Sequence, residues 1–164
     1  MEMYQSGKNW LERLADAIPG LKGYRDKEAR RDTDKRFREY LADRLEGSRN
    51  ILEDAKRASM EQGKLEDLDD LDRFSQRLFR VAQMVRHASY GYAGFFDQVK
   101  IEEAELDRIY QYDLSLLGYV EALESSLQTY STRSFTEVKS EWEGQIKTLE
   151  AKIEERKNLF NVAG

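Results

Sequence analysis

The chain has 164 residues, with one proline, ten glycines and no cysteine. That length suits one domain with a real core, and the absence of thiols excludes a disulfide scaffold, thiol catalysis and thiolate metal sites. Charged residues make up 36% of the chain, with interleaved signs and a formal net charge of -5, which suits long solvated helices and disfavours non-specific nucleic-acid binding.

Residues Met1 to Gly7 have neither the basic start nor the apolar stretch of a leader, and no apolar run approaches a membrane span. A reducing, cytoplasmic setting is therefore expected. A first helix is expected over 8–17, where Trp10, Leu11, Leu14 and Ala17/Ile18 share one stripe. Pro19-Gly20 ends it, because proline disfavours helix at the residue before it and glycine supplies the turn.

A second, long helix is expected over 24–62. Phe37, Leu41, Leu45, Ser48, Leu52, Ala55 and Ser59 recur at spacings of three and four, the seam of a bundle or coiled coil. Gly47 lies within it at a cost of roughly 1 kcal/mol relative to alanine, which predicts a weak point, and Gly63 is a natural stop. The third helix is expected over 65–90 with Leu71, Phe74, Leu78, Ala82, Val85 and Ser89 on one face. Acidic residues in its first turns complement the helix dipole. The aromatic, glycine-bearing segment Tyr90 to Asp97 reads as a packed connection.

A fourth helix is expected over 101–130, its seam formed by Leu106, Ile109, Leu116, Val120, Leu123 and Leu127. Ser134 and Glu137 have the spacing of a capping box, so a fifth helix is expected over 135–160 with Val138, Trp142, Ile146, Leu149, Ile153 and Phe160 along it. The expected fold is all-α: an elongated antiparallel bundle occupying residues 1–164 as one domain. The second, third and fourth helices form its core, and the first caps it. The fifth packs alongside or projects as a coiled-coil arm, with Arg156 and its charged neighbours on a polar face.

Polar residues on apolar faces are the main candidates for chemistry. Asp113 falls inside the fourth seam, and Glu102 and Glu105 extend that face toward the helix start. Lys27, Arg30 and Asp34 extend the Phe37/Leu41 face. Buried charges must pair or neutralise, so an Arg30–Asp34–Asp113 network is expected, either fixing helix register or lining a site for a cation or small polar ligand. His87, the one histidine, lies opposite its seam and is expected to be exposed. The glutamate that a di-iron bundle places three residues before such a histidine is Met84 here. Residues 22–38 carry eight Lys/Arg against four Asp/Glu. With Trp10 on the first helix, Lys22 and Arg25 are candidate contacts to a partner or an anionic membrane surface.

Ile18-Pro19-Gly20-Leu21-Lys22-Gly23-Tyr24, then Lys27-Glu28-Ala29-Arg30-Arg31 and Asp34-Lys35, resemble the start of an uncharacterised helical family of bacteria, whose pattern reads approximately IPGYKGYxxKExRRxxDK. Tyr90-Gly91-Tyr92-Ala93-Gly94 with Asp97, and Leu106-Asp107 with Tyr112-Asp113, resemble later parts of it, and Leu21 departs from its tyrosine. The resemblance covers about the first three-quarters of the chain. It implies a module found near membrane-associated scaffold proteins of the band-7 type, carries no reaction, and falls on Arg30, Asp34 and Asp113.

No P-loop, dinucleotide fingerprint, nucleophile elbow or His/Asp/Ser set occurs in the sequence. The expected function is therefore non-enzymatic: a helical interaction or scaffold module with a protein partner or self-association, without cofactor, nucleic acid or defined small molecule. The alternatives are a membrane-surface adaptor and a bundle that holds a metal or small ligand through carboxylates.

Overall fold

A computed structural model describes residues 30–88, 103–131 and 133–161, together with Asp16 and Ile18. Four long helices make up these segments: α1 (Arg30–Glu61), α2 (Leu68–Arg86), α3 (Glu103–Gln128) and α4 (Phe135–Asn161). They correspond to the second to fifth expected helices. Single 3-10 turns, Leu65–Asp67 and Thr129–Ser131, precede α2 and follow α3. Helix formation was expected up to the aromatic segment after Ser89, but α2 ends at Arg86. The expected first helix and the Tyr90–Asp97 connection lie outside the described residues, apart from Asp16 and Ile18.

The expected stripes are the faces that pack. Phe37, Leu41, Leu45, Ser48, Leu52, Ala55 and Ser59 are all buried on α1. So are Leu71, Phe74, Leu78, Ala82 and Val85 on α2, and Leu116, Val120, Leu123 and Leu127 on α3. On α4, Val138, Trp142, Ile146, Leu149 and Ile153 are buried to the same degree. The fifth expected helix is therefore a full member of the core and does not project as an arm. Ile18 joins the same cluster.

Cross-helix pairs fix the topology. Lys56 Nζ lies 2.8 Å from Asp72, while Arg38 reaches the carbonyl of Arg86 at 3.0 Å, so α1 and α2 run antiparallel. Trp142 Nε1 donates to Ser126 Oγ at 3.0 Å and Tyr112 Oη to the Lys152 carbonyl at 2.6 Å, so α3 and α4 are also antiparallel. Between these hairpins the neighbours are parallel. Lys139 meets Asp70, and further along Arg77 meets Glu143 and Glu150, which ties α2 to α4. Arg44 binds Glu121 and Glu124, tying α1 to α3. The order around the bundle is thus α1, α2, α4, α3.

The helix ends show why the chain turns where it does. Gly63 has φ +71°, the left-handed conformation that costs an L side chain about 1–2 kcal/mol. The Lys64 amide donates to the Ser59 carbonyl at 2.8 Å and the Gly63 amide to Met60 at 3.1 Å, a Schellman cap on α1. At the start of α4 the Glu137 and Val138 amides donate to the Ser134 carbonyl at 3.1 and 3.3 Å. The expected weak point at Gly47 does not interrupt α1, and a methyl group added there would meet nothing within 4 Å.

These two glycines should respond to alanine in opposite directions. Gly63→Ala is expected to lower stability by about 1 kcal/mol through left-handed strain. Gly47→Ala should raise it by roughly 0.5–1 kcal/mol by removing the helical cost of glycine. Urea denaturation of both variants at neutral pH measures this, and a Gly47→Ala loss would show that the position has a role in the folded state beyond propensity.

Candidate functional site

The buried charges converge at the end of the bundle where α1 and α3 begin and α4 finishes. Asp113 lies on the α3 seam with its side chain 1% exposed, facing Arg156 of α4 at 5%. Arg156 Nε donates to Oδ1 at 2.7 Å and Nη2 to Oδ2 at 3.2 Å, a two-pronged pair in which the planar guanidinium matches the carboxylate. The guanidinium carbon also stands 5.7 Å from the centre of the Phe37 ring on α1, so the cation touches three helices.

Of the expected Arg30–Asp34–Asp113 network, only Asp113 has a described side chain. Asp113 is buried as expected and pairs with Arg156, which was expected on a polar face and is instead buried. The side chains of Arg30, Asp34 and Glu105 lie outside the described residues, as do Glu102, Trp10, Lys22 and Arg25 altogether. Two signals in the sequence point to Arg156. The spacing of Ile146, Leu149 and Ile153 continues by three to Arg156 and by four to Phe160. Folding α3 onto α4 about Ser134 also pairs residues about equally far from it, and Asp113 precedes Ser134 by 21 residues while Arg156 follows by 22.

A second buried cation has a capping role. Arg38, counted in the basic 22–38 stretch, is 5% exposed and donates from Nη1 to the carbonyls of Val85 and Arg86, at 3.4 and 3.0 Å. These are carbonyls of the last turn of α2, which have no partner within that helix. Positive charge there also complements the dipole. Arg38 is thus part of the fold and not a surface charge available to phosphate or lipid. Beside the Asp113 pair, burial and a hydrogen bond to Glu155 push the Tyr112 hydroxyl far above its ordinary titration range. Tyr112 therefore stays a neutral donor. His87 is exposed, as expected, with its ring 3.1 Å from the Gln83 side chain.

At the opposite, turn end lies a different feature. A cleft of about 910 Å³ opens between the α1–α2 and α3–α4 turns. Its walls include Lys64, Leu65, Glu66, Asp67 and Arg133, and its floor is Tyr130 and Phe135. The floor belongs to a cluster of rings with Phe74 and Trp142, whose centroids lie 5.7–6.5 Å apart, so it is rigid. Tyr130 Oη is anchored 2.9 Å from Ser59 Oγ. Leu65 at the rim is 66% exposed, and Met60 nearby is 61% exposed. Leu65 and Met60 belong to no seam, so nothing periodic in the sequence signals this feature.

The chemistry these arrangements support is limited. Both Asp113 oxygens are engaged by Arg156, which leaves that carboxylate poorly placed to chelate a cation. Among the described residues no group of three or more His, Asp or Glu side chains could hold a metal ion. None of the described helices is long and apolar enough to cross a membrane. No protein-family model, curated protein or solved structure matches this chain.

The Asp113–Arg156 pair should behave as a buried ion pair whose halves depend on each other. Asp113→Asn and Arg156→Met are each expected to cost about 3–5 kcal/mol, because each leaves an uncompensated buried group. The double variant Asp113→Leu/Arg156→Met should cost much less than the sum of suitable single variants. Both groups also interact beyond the pair, so a double-mutant cycle in urea is the measurement that isolates it. Additive losses would show that the two side chains do not depend on each other.

Glu53 gives the pH dependence a testable element. Its carboxylate is held below its ordinary value of 4.5, first by the hydroxyl of Ser75 donating at 2.6 Å, against burial, and then by Lys56. A carboxyl lowered on folding contributes stability that is fully present above its unfolded value and is lost as pH falls through the folded one. Ser75→Ala should raise the folded value, so the variant should lose less stability than wild type on acidification below about pH 5. Urea midpoints at neutral and acid pH test this, and identical acid losses would remove Ser75 from the explanation.

Proposed function

We propose that this bundle is a non-enzymatic protein-interaction module that presents its turn end to a partner. The observation that carries this reading is exposed Leu65 lining a cleft together with Tyr130 and Phe135, with a second exposed apolar side chain, Met60, in the last turn of α1. Large apolar side chains beside a rigid aromatic concavity are the usual anchors of a contact surface. The buried charges support the same reading. Arg38 caps a helix and Asp113 pairs with Arg156, so these groups hold helices together instead of activating a nucleophile. The resemblance to a bacterial helical family also implies a module without a reaction. A cytoplasmic setting fits a chain without cysteine.

Cross-linking with mass spectrometry in host lysate tests the proposal, using the wild-type chain and the double variant Met60→Asp/Leu65→Asp. Cross-links from the turn-end residues Lys64 and Glu66 to another polypeptide are expected in the wild type. They should be lost in the variant while its far-UV circular dichroism is unchanged. A variant that forms the same cross-links in the same yield would place the contact elsewhere. A wild type with no intermolecular cross-link would refute the interaction reading itself.

A further inference from the structure

We infer that the occupant of the turn-end cleft is the turn end of a second copy of this chain, packed head to head about a two-fold axis near Leu65. The inference rests on the interaction-module reading and names its partner. Its basis is charge self-complementarity around an apolar point. Leu65 lies between Lys64 and Glu66 in sequence, and all three line the cleft. A two-fold axis through the neighbourhood of Leu65 brings one copy's Lys64 opposite the other's Glu66, twice, with the two leucines between them. Arg133, which also pairs with Glu141 at 2.8 Å, and Asp67 line the same cleft, so the lining carries both signs of charge. A face of mixed sign suits a copy of itself better than a strongly charged partner.

The apolar part is also self-complementary. Leu65, which projects, and the Tyr130/Phe135 floor, which recedes, lie on the same face. In a two-fold contact the projecting side chain of each copy enters the concavity of the other. The end of a four-helix bundle is a small surface, however. The contact belongs with transient interfaces of less than about 1,200 Å² in total, so association should depend on concentration and not be obligate.

Sedimentation equilibrium of the full chain over a concentration series tests this. The wild-type mass should rise from the monomer value of 19.3 kDa toward twice that value. Leu65→Asp should weaken association about tenfold or more by placing like charges at the axis. Lys64→Glu should weaken it too, by setting the new glutamate against the partner's Glu66. The exchange Lys64→Glu/Glu66→Lys should restore it. These positions are exposed, and circular dichroism confirms that each variant is folded. A wild type that stays monomeric throughout overturns the inference. So does a Leu65→Asp variant that dimerises as the wild type does, or a charge exchange that rescues nothing. A monomeric chain that still cross-links to a different protein through the turn end overturns the second-copy inference and preserves the interaction reading. A monomer without cross-links refutes both.

Discussion

Each of the four long helices has an apolar stripe one or two residues wide, and burying all four stripes against one another constrains everything else in this fold. A narrow stripe can be covered only if the helices run nearly alongside one another, which explains the four-sided bundle. It also leaves polar residues at the stripe edges within reach of the next helix. Arg44, Arg77 and Lys139 stand at such edges, and each reaches across to carboxylates of a neighbour. These bridges are partly exposed, so each adds little stability on its own. Their sites do, however, select which helix lies beside which.

Where a charge falls within a stripe instead of at its edge, the requirement is stricter. Asp113 and Arg156 interrupt the seams of α3 and α4 at one level and satisfy each other with both prongs. Slipping the hairpin by one residue would bury both charges unpaired, so the pair acts against wrong registers even if an apolar pair would be as stable. Arg38 does similar work at the same end of the bundle. By donating to the last carbonyls of α2, it joins the position at which α2 stops to the packing of α1. Among the described residues the buried charges are thus concentrated at one end. The opposite end is closed by the aromatic cluster of Phe74, Tyr130, Phe135 and Trp142.

That asymmetry links fold to proposed function. At the charged end the described buried charges, Arg38, Asp113 and Arg156, are engaged by other groups of the fold. The turn end is rigid underneath, because its rings pack on one another and the Trp142 indole nitrogen donates to Ser126. Above, it is open to solvent through Leu65 and Met60. A rigid floor under exposed apolar side chains lowers the entropic cost of docking, since little needs to be ordered when a partner arrives.

The sequence by itself determined the elements and their inward faces. Periodicity is local to each helix, so every expected seam position whose side chain is described is buried, from Phe37 on α1 to Ile153 on α4. α2 ends before its expected bound, whereas the stop of α1 was equally legible, because Gly63 acts through the backbone of its own turn. Asp113 was legible as a buried charge for the same reason. Its pairing with Arg156 was not legible, because Arg156 was expected on a polar face. Any cation on a facing seam satisfies a carboxylate, and placing Arg156 opposite Asp113 needs the register of the α3–α4 hairpin. Only the tertiary structure decided how the two hairpins lie together, with α1 beside α3 and α2 beside α4. That choice depends on the fit of four surfaces at once, to which no single stretch of chain holds the answer. The turn-end cleft belongs to the same category, because its walls come from two turns far apart in sequence.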